Sequence, residues 1–438
     1  GDFESGKNSK TSVKNNIDIL GGFKNSGEVI NNGNLNIDSQ DKNFVNLGKL
    51  ETKGQGTIKG NNFSNSGDIL IENGADFNMN KSFENQGKIQ SKENISITSN
   101  GDSTLGSIFA NKDVTVKANS GSVSVDKIQT PGNITIQTDG DIINKGMIVS
   151  NKDVELSGNS IKNESGTTIW AGQNLVLNAI KEIYNSLLAV IEGKGNVKLT
   201  AKSIVNDGGT IRSGKNMILK TDSLVNRSTI VDKPLISGYK EFETVTKWND
   251  VLNYHLDYVK VNVPNIENTS VVKDKASINS GGDLSIEGYS NEASSVLNEA
   301  GVISSVKDMN IKGDVVNKTP YKETSIDWFL DNITVTLHWE TKLYGTGAHG
   351  NSGVTFKGTL RDALYGNHFN GKNSYYESLK LHKDPTLVQI LSSVLGADWR
   401  AYNKPVSQDS TFNGWKATSG FTVFDSPKIN VASANNTA

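Results

Sequence analysis

The chain has 438 residues, 47 acidic and 45 basic side chains, a formal net charge of −2 and no cysteine. Near-neutrality removes the electrostatic basis for nucleic-acid binding. No Lys/Arg run would hold an anionic membrane surface, and no apolar stretch is long enough to span a bilayer. Aromatics at 7% and 43 glycines describe thin apolar layers separated by many turns.

The first ten residues, GDFESGKNSK, lack the apolar core of a signal peptide and read as a cut through a longer protein. A repeat follows. Phe23-Lys-Asn25-Ser-Gly27 recurs at Phe44, Phe63 and Phe83, at steps of 21, 19 and 20 residues. Farther on the Phe becomes aliphatic, while Asn persists at Asn144, Asn163, Asn185, Asn206 and Asn226. A second pattern is stricter: an apolar residue leads, five positions on, to Asn or Asp and then to apolar-x-apolar. Val29, Ile89, Ile108, Ile128, Ile148, Ile169, Ile191 and Ile211 lead to Asn34, Asn94, Asp113, Asn133, Asp153, Asn174, Asn196 and Asn216. After an interruption the pattern returns at Ile278 to Asp283 and Ile303 to Asp308.

Apolar-x-apolar triplets alternate in and out of a pleated surface. Asn, Asp, Gly and Ser occupy the positions where the chain must turn. One coil of about 20 residues cannot bury its own apolar side chains, but stacked coils can. The expected fold is therefore all-β, a right-handed parallel β-helix. Ile108, Ile128, Ile148, Ile169, Ile191 and Ile211 form one inward ladder in this reading, and Asn144, Asn163, Asn206 and Asn226 form a second whose amides bond along the stack. An α-solenoid would need a 3.6-residue period. Neither the Leu-x-x-Leu-x-Leu signature nor the Gly-Gly-x-Gly-x-Asp nonapeptide occurs.

Two stretches break the repeat. Residues 231–275 contain two strand-rich runs, Tyr239–Val245 and Tyr254–Val261, and predict a hairpin arm extruded between rod residues 1–230 and 276–318. Residues 319–427 predict a separate α+β module, with a short helix over Asp384–Gly396 capped by Asp384 and Pro385. The rod is expected to resume at 428–438. Five of the six Trp lie after residue 247. Because binding energy concentrates in aromatic anchors, Trp248, Tyr254, Trp328, Trp339, Tyr344, Trp399, Tyr402 and Trp415 are the candidate receptor contacts.

Catalytic and cofactor signatures are weak. Gly345-Thr-Gly347-Ala-His-Gly350 has dinucleotide-loop spacing, but Asn351–Phe356 after it reads as turn and strand rather than helix. His338, His349, His368 and His382 lack ligand spacing. There is no Gly-x-Ser-x-Gly elbow and no cysteine nucleophile. A polysaccharide lyase on a β-helix would gather carboxylates and basic residues along a groove, whereas Lys112-Asp113 and Lys152-Asp153 read as solvated corners. The expectation is no catalytic residue, no metal site and no cofactor. The absence of cysteine fits a cytosolic enzyme or a long repetitive chain that crosses membranes unfolded, and the repeat favours the second.

The units Ile161-Lys-Asn163-Glu-Ser-Gly-Thr-Thr-Ile169-Trp-Ala-Gly172-Gln-Asn174-Leu-Val-Leu177 and Ile204-Val-Asn206-Asp-Gly-Gly-Thr-Ile211-Arg-Ser-Gly214-Lys-Asn216-Met-Ile-Leu219 resemble the filamentous haemagglutinin repeat. That repeat belongs to large exoproteins of two-partner secretion, which include adhesins and contact-dependent growth inhibition toxins. The resemblance covers about Ile89 to Asn317 and is looser in the Phe-rich first coils. It implies a secreted filament on the surface of a Gram-negative cell, exported through an outer-membrane transporter. Such a filament would be monomeric, not inserted in the membrane, and would meet an outer-membrane receptor or glycan on a target cell. The family's secretion domain with its Asn-Pro-Asn signature and any toxin domain are absent, so the chain resembles an interior piece. Its non-repeat module sits where growth-inhibition exoproteins carry a receptor-binding region. A host-cell or biofilm adhesin without a toxin is the competing reading, and a polysaccharide lyase is the third.

Overall fold

The computed structural model describes residues 1–232, 235–245, 254–267, 270–290, 294–318, 321–325, 331–345, 348–359, 411–416, 420–423 and 429–431. They divide into two units. Gly1–Ile230, Val272–Thr319 and Thr418–Ala438 make the first; Val231–Val271 and Pro320–Ala417 make the second. The expected helix over Asp384–Gly396 lies outside the described residues.

The first unit is a parallel β-solenoid of about 14 coils, roughly 65 Å long at about 4.8 Å per rung. Each coil contributes one strand to each of three faces, and each strand pairs in parallel with its counterpart one coil on. On the first face Phe3, Phe23, Phe44, Phe63 and Phe83 stand in register. Their rings stack at centroid distances of 5.0, 4.7, 4.9 and 4.2 Å, with planes within 9° of parallel. Phe77 of the third face packs edge-on against Phe63 and Phe83. The column then passes through Ser103 and Val123 to Ile142, Ile161, Ile183, Ile204, Leu224, Val296 and Val315.

Two residues further along the same face runs the asparagine column. Asn25, Asn46, Asn65 and Asn85 form one block, and Asn144, Asn163, Asn185, Asn206, Asn226, Asn298 and Asn317 form another. In both blocks each Nδ2 donates to Oδ1 of the next coil, at 2.7 to 2.9 Å. The amides therefore all point the same way along the rod. Between the blocks the position is held by buried Leu105 and Val125. In the first coils the glycine two residues after the Asn closes the turn. A Cβ on Gly48, Gly67 or Gly87 would land on the carbonyl oxygen of the glycine one coil back.

The second face carries the isoleucine column. Ile89, Ile108, Ile128, Ile148, Ile169, Ile191, Ile211, Ile278 and Ile303 pair in register, all fully buried. Phe421 occupies the next rung, because Gly420–Val423 pairs with Val302–Ser305. The rod's strands thus resume at Gly420, ahead of the expected 428, and Ile429–Val431 continues them on the third face.

The corner between the second and third faces explains the fixed five-residue spacing. Oδ1 of Asn16, Asn34, Asn94, Asp113, Asn133, Asp153, Asn174, Asn196, Asn216 and Asp283 each accepts the backbone N–H of the residue one coil on, at 2.7 to 3.3 Å. Only an oxygen is needed, so Asn and Asp interchange.

Candidate recognition site

The two insertions leave the rod at equivalent places. Both follow a first-face strand, Ser223–Arg227 in one case and Gly313–Lys318 in the other. Both return to a second-face strand, at Ser277–Ser280 and Gly420–Val423. They replace the same corner, two coils apart. In the coil between, the corner is short, and Ala300 takes a left-handed backbone conformation there (φ 51°).

Within the second unit the expected arm forms: Leu235–Val245 pairs antiparallel with Tyr254–Glu267. That hairpin does not stand alone. Tyr254–Glu267 also pairs antiparallel with Thr334–Gly345, which pairs with Ala348–Thr359, so arm and module share one four-stranded sheet. Val261, Val263, Ile333 and Val335 are buried in this unit, and Val261 lies opposite Val335 in register. Lys260 and Glu241 form an ion pair at 2.7 Å across the arm. Gly345 pairs with Ala348, so the Gly-x-Gly-x-x-Gly run has a β-strand before it and a β-strand, not a helix, after it. That is not the strand-to-helix turn which presents amides to a pyrophosphate.

Three candidate contacts fall on this sheet. Tyr254 is opposite Thr341, Trp339 is opposite Leu256 and Val354, and Tyr344 is opposite His349. Trp415 lies opposite Lys322 in a separate two-stranded pair. Trp248, Trp328, Trp399 and Tyr402 lie outside the described residues, as do His368 and His382. Tyr239, at an alternating position of the first arm strand, is 55% exposed and is an aromatic that the Trp-centred reading passed over.

The rod has its own surface chemistry. On the outside of the first face Tyr184, Val205, Val225, Leu297 and Val316 follow one another on five consecutive rungs, each half-buried. Beside this stripe Tyr184 Oη donates to Asp207 at 2.7 Å, and Arg227 reaches both Asp207 oxygens at 3.0 and 2.7 Å. The Arg227 guanidinium holds the Asp207 carboxyl below the usual carboxylate range, and Asp207 in turn raises the Tyr184 hydroxyl and Arg227. On the second face Trp170 stands next to Glu192 in register. Burial pushes Glu192 up, but Arg212 at 2.5 Å and Lys194 at 2.7 Å outweigh it and keep the carboxyl low. Among the described residues no group of three or more His, Asp or Glu side chains is placed to hold a metal ion, and no helix is long and apolar enough to cross a membrane.

Residues 6–42, 14–107, 109–179 and 185–319 match the haemagglutinin repeat. A 92-residue stretch is 36% identical to the filamentous hemagglutinin of Bordetella pertussis, covering 20% of this chain and 2% of that relative. No solved structure matches.

Proposed function

The chain belongs to the haemagglutinin-repeat family, and from that premise we propose that it is a surface-displayed stalk of a two-partner-secreted exoprotein, presenting an adhesive element for cell–cell contact. In this reading an outer-membrane transporter exports the protein to the surface of a Gram-negative cell, and the element meets a receptor or glycan on a target cell. The observation that carries the proposal is the placement of the insertions. A rod whose inner isoleucine column stays in register admits two long excursions at one corner, and their strands join in one sheet. Repetition along the rod gives reach, while the insertion sheet gives a non-repeating surface. The aromatic residues of that sheet are the proposed anchors, and no step of the proposal calls for catalysis.

Growth-inhibition delivery and simple adhesion share this architecture. The match to a protein named filamentous hemagglutinin favours adhesion to host cells or in a biofilm. The position of residues 319–427 as a non-repeat interruption favours delivery. The test removes 320–417, which leaves the rod strand Gly420–Val423 in place, checks export and folding of the rod, and measures attachment to target cells. Attachment should be lost. Unchanged attachment would move recognition onto the arm or the rod.

A further inference from the structure

We propose that a recess on the outside of the rod's first face is a second contact site, taking an extended peptide of a partner protein that presents a basic side chain beside an aliphatic one. The lining of the recess includes Asp141, Ser160 and Glu182 on three successive rungs, with Lys162, Tyr184 and Leu187 beside them. Tyr184 in this lining is tied to Asp207, and Asp207 to Arg227.

Charge points to the first feature of the ligand. Asp141 accepts a hydrogen bond from the Asn159 amide at 2.8 Å, and Glu182 accepts one from the Ser203 hydroxyl at 3.4 Å. Neither carboxylate has a cationic partner among the described residues; Lys162 also lines the recess, and its ammonium pairs with Glu164 at 3.5 Å. Asp141 and Glu182 stand two rungs apart, about 10 Å along the axis. With Lys162 paired to Glu164 and Asp207 to Arg227, a Lys or Arg side chain entering between Asp141 and Glu182 would meet two carboxylates that no ion pair of the rod occupies.

Shape and strain point to the second. Leu187 lines the recess and is half-buried, and Leu188 next to it in the chain, outside the lining itself, has φ 58° and is 62% exposed. The corner residues stacked below and above are Gly166 (φ 72°) and Gly208 (φ 69°). Backbone bonds Gly166 N–H to Leu187 O at 2.9 Å and Leu188 N–H to Gly208 O at 3.0 Å hold the three turns in line. Glycine adopts this conformation without penalty and leucine does not. Leu188 therefore works against the rod's stability while holding apolar surface in water, and its contribution lies with something outside the fold. Branched aliphatic side chains receive another aliphatic side chain, whereas a sugar ring would call for an open aromatic plate. Tyr184 is half-buried and tethered at its hydroxyl. The occupant is thus a peptide rather than a saccharide.

The test pans a phage-displayed library of 12-residue peptides on the full 438-residue chain. Enriched peptides should pair Lys or Arg with Leu, Ile, Val or Met. A synthetic representative should lose about tenfold or more in affinity with Leu188→Gly, Glu182→Gln or Asp141→Asn. Leu188→Gly should melt no lower than the parent, so its loss of binding cannot be a loss of fold. Absence of enrichment, or peptides that bind all three variants as they bind the parent, would overturn the proposal. So would glycan-array binding abolished by the same substitutions, which would assign the recess to a saccharide.

Discussion

The first five coils and the last seven share the same inner register but present different outer surfaces. Near the amino-terminal end a phenylalanine stack and a four-membered asparagine ladder fill the interior. Outside, Lys10, Glu28, Lys49, Asp68 and Lys88 alternate in sign on successive rungs. Their ion pairs are exposed and each contributes little, but alternation keeps the surface neutral. From Asn144 onward aliphatic residues replace the rings and the ladder has seven members. The outer column of the first face turns apolar from Tyr184, and both insertions leave from this half. Stacking constrains what points inward. It leaves outward positions and one corner free, and that is where the second half differs.

The largest expected effect falls on what the halves share. Ile169→Asp places a carboxylate in a fully buried column and should cost at least several kcal/mol. Ile69→Asp in the Phe-stacked half should do the same, read by chemical denaturation. If either were tolerated, that half would not be closed around its inner columns.

A smaller effect separates the ladders. Asn185→Leu imitates in the second block what Leu105 does between the blocks, and it leaves Asn206 Oδ1 without the donor it now has. The expected loss is about 1–3 kcal/mol, the penalty for an unsatisfied buried polar atom. Thr167 and Val190 carbonyls still receive Asn163 Nδ2, at 3.4 and 3.1 Å. An undisturbed melting profile would mean that the amide chain adds register and no stability.

Acid should weaken the second half through its embedded ion pairs. Glu192 and Asp207 are both held below their ordinary values of 4.5 and 3.8. A carboxyl depressed in the fold stabilises it above its unfolded value, and that contribution is lost as pH falls through the folded value. The rod should therefore lose stability below about pH 4, and Asp207→Asn should flatten part of that dependence. The same slope in Asp207→Asn as in the parent would assign the acid sensitivity elsewhere.

The smallest effect is a gain. Leu188→Gly relieves a left-handed leucine and should raise stability by up to about 1 kcal/mol. A drop in melting temperature would show that Leu188 packs as part of the rod and would remove the strain argument.

How far the sequence revealed this follows from which side chains do a repeating job. The isoleucine column was legible because Asn or Asp five residues on supplies a corner oxygen in coil after coil. Coils at Ser103–Leu105 and Val123–Val125 lose both the Phe and the Asn marker, so the gap between the ladders was hidden in an ordinary apolar alternation. The return at Gly420 was missed for a related reason: Phe421 replaces Ile, and the residue five positions on is Ser426. Pairing of Tyr254–Glu267 with Thr334–Gly345 is antiparallel and occurs once, so periodicity carries no trace of it. Of the candidate contacts, Tyr254, Trp339 and Tyr344 share that sheet, brought together by a pairing that composition cannot show.

The central claim is that the rod is one uninterrupted stack whose inner ladders are independent of what is inserted at its corner. Hydrogen–deuterium exchange on a chain with 231–271 and 320–417 excised, joining Ile230 to Val272 and Thr319 to Thr418, tests it most directly. Rod strands from Ile183 to Val316 should keep their protection, as the Asn206–Asn226–Asn298–Asn317 hydrogen bonds require. Loss of protection across those coils would show that the insertions hold the rod together, and would contradict the account.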